Sequence, residues 1–276
     1  KLVTGVQTCA LRSMLHPAHR VSTGLFSWRL RKDTMVSRIE LAFPTNEDPQ
    51  PDNDAAWTLP NVQKDFTDWR AGRHRYAVWA IDLDHAWLRE ASNRVRQHCA
   101  DLLLPDYARQ PHATLRICGF PGPDRRLGDD YTRAHLAAQV SALESARIEP
   151  FPISIGALDT FTTAPYFSVL DIEGGIARAR RALAMPAGEG PGEKGFPYVP
   201  HVTFGLYGCR FPMPDAAHRL NSAPRIENVQ VVVKRLTLMT YEASVIAGPL
   251  TSVCAFDLER RTLRTLDRES MEALFR

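Results

Sequence analysis

Pro111-His112-Ala113-Thr114-Leu115 and, 89 residues further on, Pro200-His201-Val202-Thr203-Phe204 read as one short strand written twice. Each follows the same lead-in. Val78-Trp79-Ala80-Ile81-Asp82-Leu83-Asp84 is an apolar strand ending in acids, and Phe167-Ser168-Val169-Leu170-Asp171-Ile172-Glu173 repeats that pattern. Between lead-in and tetrad, Leu88, Ala91, Val95, Cys99 and Leu102 recur at helical spacing in the first copy, as do Ile176, Ala179 and Leu183 in the second. Thirty residues separate Asp82 from His112, and thirty separate Asp171 from His201. The chain therefore carries a duplicated strand–helix–strand unit.

Of the nine histidines, only His112 and His201 follow a proline, and only they have a serine or threonine two positions on. A lone strand histidine beside a threonine is ordinary, because threonine is a good strand former. Two copies at matching places in a repeat point to function. Alternate strand residues share a face, so His112 projects with Thr114 and His201 with Thr203. A duplication brings the two strands around one central space. Imidazole titrates near neutrality, so one ring can take a proton while the other gives one. The hydroxyls can donate to phosphate oxygens. This set suits phosphate hydrolysis or transesterification, and it needs neither metal nor cofactor.

Paired H-x-T-apolar motifs some ninety residues apart resemble those of the two-histidine phosphoesterase superfamily, which includes bacterial 2′-5′ RNA ligases and 2′,3′-cyclic phosphodiesterases. The resemblance covers residues 74 to about 256, and Leu158-Asp159-Thr160-Phe161 adds to it. It implies an α+β fold that is bilobed and duplicated, with two mainly antiparallel sheets, outer helices and a central cleft carrying both motifs. It further implies His112 and His201 as the catalytic pair, with Thr114 and Thr203 as phosphate donors. The implied activity is opening of a 2′,3′-cyclic phosphate, or making and breaking 2′-5′ linkages, at an RNA end or nucleotide. The alternative is an RNA- or nucleotide-binding module of the same fold without significant catalysis. Many ligase-like members carry a basic residue after the second motif, where this chain has Gly205-Leu206-Tyr207.

Strand parity adds further candidates. Arg116 falls on the His112 and Thr114 face and could pair with phosphate; a solvated strand-end arginine is the alternative. Gly205 leaves room for a ligand, and Tyr207 could stack on a base, or be a core tyrosine. Phe161 and Tyr166 are further stacking candidates. Pro186–Gly195 is a glycine-rich stretch before the second motif, either a plain surface loop or a rim over the cleft. It lacks the Lys-Ser/Thr of a phosphate-binding loop. The clusters Arg70/Arg73/His74/Arg75 and Arg178/Arg180/Arg181 read as solvated faces.

The remaining composition excludes other classes. No H-x-x-x-H or G-x-S-x-G pattern argues for a metalloenzyme or serine hydrolase. No apolar run approaches a membrane span. Five scattered cysteines without C-x-x-C spacing predict reduced thiols in a cytoplasmic protein, expected to be a monomer. A net charge of +3 permits a nucleic-acid partner without arguing for one. Residues 1 to 13 resemble a translated sequencing adaptor, with Met14 and Met35 as candidate starts and Met35 preferred. Residues 1–35 are accordingly set aside as non-native or disordered, 36–70 as an extension with a Pro-rich loop, and 71–276 as the two-lobed domain. Within the extension, Val36–Phe43 is a strand candidate.

Overall fold

The computed structural model describes residues 56–63, 66–184 and 197–276. The segment 1–35, the strand expected over Val36–Phe43, the Pro-rich loop up to residue 55 and the Pro186–Gly195 stretch lie outside the described residues. After one helical turn, α1 (Thr67–Arg70), the first copy of the repeat forms β1 (Arg75–Asp82), α2 (Ala86–His98) and β2 (His112–Pro121). A bridging segment forms β3 (Asp130–Tyr131), α3 (Arg133–Ala146) and β4 (Phe151–Thr160). The second copy follows as β5 (Pro165–Asp171), α4 (Gly175–Ala184) and β6 (His201–Thr203). The chain continues with α5 (Met213–Asn221), β7 (Val229–Val233), β8 (Arg235–Glu242), β9 (Thr251–Asp257), β10 (Thr262–Thr265) and α6 (Arg268–Ala273).

One sheet has the order β10-β9-β8-β1-β2-β3 and the other β6-β5-β4-β7. Every pairing between these strands is antiparallel except that of β2 with β3. The expected α+β architecture of two antiparallel-rich sheets with helices is therefore present, one histidine motif on each sheet.

Local chemistry explains several elements. The acids that end the lead-in strands serve the turns after them. Asp171 accepts from the backbone N–H groups of Ile176 and Ala177 in the first turn of α4, at 3.0 and 2.9 Å. That placement satisfies donors which a helix start leaves open. Asp82 accepts from the Asp84 amide. On α2, Leu88, Ala91 and Val95 fall at i, i+3 and i+7 and are all buried, as their spacing predicts.

One continuous core runs between the sheets and the helices, joining Trp79 and Leu115 of the first sheet to Ile153, Phe167 and Val202 of the second. A buried amide ties this core together. Gln139 of α3 accepts from Trp79 Nε1 and from the Tyr131 hydroxyl, each at 2.8 Å, and donates to the Leu183 carbonyl at 3.2 Å. β1, β3, α3 and α4 thus meet at one side chain. The four cysteines among the described residues are free, and three of them are buried.

The two copies are not superimposable in register. Asp82 stands opposite His112, but Ser168, not Asp171, stands opposite His201. β2 has ten residues and β6 three. The equal thirty-residue spacing thus reflects equal chain length, while the ladders differ by three positions.

Residues 57–63 are stitched to the second half. Thr58 and Asn61 donate backbone N–H groups to the Phe211 and Tyr207 carbonyls at 2.8 Å each. The Asn61 side-chain amide reaches the Thr163 and Tyr207 carbonyls at 2.9 and 3.1 Å. Arg73 and Arg180, which read as solvated in the sequence, are instead engaged. Arg73 pairs with Asp129 and Asp130 at 2.6 Å each, and Arg180 donates to the Leu115 carbonyl.

Replacing Gln139 by Leu removes the acceptor of two buried donors. An unsatisfied donor costs about 1–3 kcal/mol, so a loss of about 2–4 kcal/mol in urea unfolding is expected once the site has partly relaxed. A variant as stable as the parent would mean that Trp79 and Tyr131 find other acceptors.

Candidate active site

β2 opens on His112 and β6 opens on His201, and the two strands lie against each other where the sheets meet. Both imidazoles are buried, at 7% and 6% exposure, as are the hydroxyls of Thr114 and Thr203 on the same strands. The rings are near enough that a charge on His201 lowers the pKa of His112.

Each ring is held the same way. His112 Nδ1 lies 2.8 Å from the Gln110 carbonyl, and His201 Nδ1 lies 2.7 Å from the Val199 carbonyl. A carbonyl only accepts, so Nδ1 carries the proton in both rings and Nε2 keeps its lone pair. The intervening prolines, Pro111 and Pro200, help to make this possible. A residue before proline is pushed into extended conformation, which restricts the segment supplying the carbonyl. The Pro-His dipeptide is thus a device for fixing a tautomer.

Electrostatics reinforce it. Burial, followed by the charge of Arg109, pushes His112 down from 6.5 to about 3, against the opposing pull of the Gln110 hydrogen bond. Burial also lowers His201, opposed by its bond to Val199. Both rings are therefore held neutral, with Nε2 ready to accept a proton. Arg109 itself donates to the Gly248 carbonyl at 3.2 Å and lies 4.4 Å from the Tyr241 ring centroid.

Other sequence candidates land differently. Phe161 and Tyr166 do reach the site, but they are buried and stack on each other at 4.2 Å. They also pack on His201, at 4.9 and 5.3 Å, and so brace its imidazole. Tyr166 donates to Asp159 at 3.1 Å. Tyr207 is a core tyrosine. It is 0% exposed, and its hydroxyl shares a 2.7 Å hydrogen bond with Thr160, so no ring face is left for a ligand. The space beside Gly205 is filled by Leu103, whose Cδ1 would lie 2.9 Å from an added Cβ. Both residues follow the end of β6, where strand parity no longer applies.

Arg116 does not continue the Thr114 face. The ladder slips between Trp79 and Ala80, which sets Thr114 opposite Ala80 but Arg116 opposite Trp79 and Ile117 opposite Val78. Ile117 packs with Val78 and Ala80, so it takes the place that simple alternation assigns to Arg116. Among the described residues, no group of three or more His, Cys, Asp or Glu is placed to hold a metal ion.

Residues 83–244 match the family model of the 2′-5′ RNA ligase superfamily, and the chain belongs to that superfamily. It is also similar to solved structures. Escherichia coli LigT complexed with 3′-AMP aligns at 16% identity, covering 67% of this chain and 98% of LigT, with a TM-score of 0.44. LigT complexed with ATP gives 15% identity, coverage of 67% and 99%, and a TM-score of 0.40. TT0787 of Thermus thermophilus gives 17% identity, coverage of 66% and 97%, and a TM-score of 0.42. No curated protein matches the sequence.

The depressed His112 fixes the sign of a pH effect. Between pH 6.5 and about 3 the unfolded histidine binds a proton that the folded one refuses. Its stabilising contribution is complete above the unfolded value and is lost as pH falls towards the folded one. His112→Gln should therefore flatten the acid side of the stability curve between about pH 6 and 4 by up to about 1.4 kcal/mol per pH unit. Urea midpoints at several pH values would measure it, and an unaltered slope would show the ring to be hydrated.

Proposed function

We propose that this protein is a metal-independent phosphoesterase that acts on 2′,3′-cyclic phosphates or 2′-5′ phosphodiester ends of RNA or nucleotides. The observation carrying this reading is the matched pair of buried, neutral imidazoles. Each is locked through Nδ1 and each has a threonine hydroxyl two residues further along its strand. Membership of the 2′-5′ RNA ligase superfamily supports it.

The residues suggest the following steps. Thr114 and Thr203 donate to the non-bridging phosphate oxygens. An anion between the rings offsets the burial that keeps them neutral, so a proton is taken up on one Nε2 when the substrate binds. The other Nε2 removes a proton from water or a ribose hydroxyl, whose oxygen forms the new bond to phosphorus. The protonated ring passes its proton to the ribose oxygen as the old P–O bond breaks. The roles exchange in the reverse direction. Phe161 and Tyr166 keep the His201 ring from turning.

Replacing either histidine by Ala should lower turnover of a 2′,3′-cyclic mononucleotide by on the order of 10²- to 10⁴-fold. The double variant should fall short of the product of the two losses, because the pair acts as a unit. Thr114→Ala and Thr203→Ala should be milder. Full turnover in a folded His112→Ala or His201→Ala protein would leave a binding module as the better account. EDTA should leave the rate unchanged, and strict dependence on a divalent ion would sink the metal-free scheme.

A further inference from the structure

The two histidine strands belong to different sheets, yet they must be held at one separation for a proton relay to work. Two tyrosines make directional contacts across that junction. The Tyr198 hydroxyl donates to the backbone carbonyl of Thr114 at 2.8 Å. The Tyr107 hydroxyl donates to the backbone carbonyl of Thr203 at 3.2 Å. Each tyrosine precedes one motif in sequence and grips the other motif in space.

The grips are themselves supported. Arg180 of α4 sits 3.6 Å over the Tyr198 ring and donates to the Leu115 carbonyl, next to the residue that Tyr198 holds. Arg96 of α2 donates to the Tyr107 carbonyl at 2.8 Å, with its guanidinium 5.7 Å from that ring. The helix of each repeat thus supplies an arginine to the tyrosine that follows it. Leu103 and Leu104 pair with Tyr207 and Leu206 and carry the chain towards Tyr107 along the second motif's exit. At the other crossing, Tyr198 holds Thr114 while the carbonyl of Val199, one residue on, holds His201 Nδ1. One dipeptide therefore touches both motifs.

We propose that Tyr107 and Tyr198 are positioning residues, a crossed pair of clasps that fixes the two histidine–threonine strands relative to each other. Neither hydroxyl is required to touch substrate. Each acts through the backbone of the opposite threonine, and so sets where the hydroxyl and imidazole of that strand point. The proposal rests on the phosphoesterase reading for its consequence in turnover, but it makes a separate demand on phosphate binding.

The crossing supplies the test. Tyr198→Phe and Tyr107→Phe keep the ring and its arginine contact and remove only the clasping hydroxyl. Each is expected to lower kcat on a 2′,3′-cyclic mononucleotide by about three- to ten-fold, the scale of one lost hydrogen bond, with little change in thermal midpoint. Tyr198→Phe should lose less than its full factor in a Thr114→Ala background and its full factor in Thr203→Ala. Tyr107→Phe should show the reverse. A tyrosine that merely stabilised the fold would give equal factors in both backgrounds. Equal factors, or coupling of each tyrosine to the motif nearest in sequence, would overturn the proposal. The same four comparisons can be read as the dissociation constant for inorganic phosphate. Crossed coupling there, with no turnover by the unmutated protein, would remove the catalytic reading and leave the clasps standing. Absence of phosphate binding by the unmutated protein would remove both.

Discussion

Two hydrogen bonds, from Nδ1 of His112 to the Gln110 carbonyl and from Nδ1 of His201 to the Val199 carbonyl, set the terms for everything around them. A buried imidazole with a carboxylate partner would be charged, and two such rings at one junction would repel. Carbonyl partners instead define which nitrogen is bare, and their upward pull on the pKa is weaker than the burial that keeps the rings neutral. The surrounding protein can then exclude water without bearing the large desolvation cost of a buried unpaired charge. Burial and neutrality reinforce each other. The pKa is depressed at both positions because burial outweighs the hydrogen bond that opposes it.

Neutral, immobile rings are useful only at a defined separation, and the fold does not provide that by continuous pairing. β2 and β6 belong to different sheets. The shared core aligns the sheets broadly, through apolar contacts that are individually weak and tolerant of small shifts. Directional contacts do the finer alignment: Gln139 where β1, β3, α3 and α4 converge, and the tyrosine hydroxyls where the motifs meet. Phe161 and Tyr166 complete the arrangement by filling the space around His201.

The repeat, its two tetrads and the α+β class are legible because they depend on residue identity and spacing. The helix of the first copy follows from Leu88, Ala91 and Val95 alone. Register is not legible. A slip between Trp79 and Ala80 changes which side chains share a face, and no residue in β2 announces it. Simple alternation misplaces Arg116 for that reason. It also misjudges Tyr207, because the ladder has already ended at Thr203. Tyr107 and Tyr198 are hidden in the sequence because they stand five and three residues before their histidines, and so do not look like copies of one position. The Pro-His dipeptides are visible, but their meaning as a tautomer lock requires the carbonyl positions.

A duplicated gene begins with interchangeable halves, and the unequal ladders show how far these have parted. In the first half, any insertion soon after the histidine would have to break into a strand of ten residues within a six-stranded sheet. In the second, the strand is over by Thr203 and the chain passes to a loop. Mutational variation after the histidine therefore meets a sheet on one side and, on the other, a buried stretch from Phe204 to Tyr207 before the chain surfaces at Cys209. Descendants of such a gene have room to vary around Cys209, beyond the second motif, where the chain is no longer held in the core.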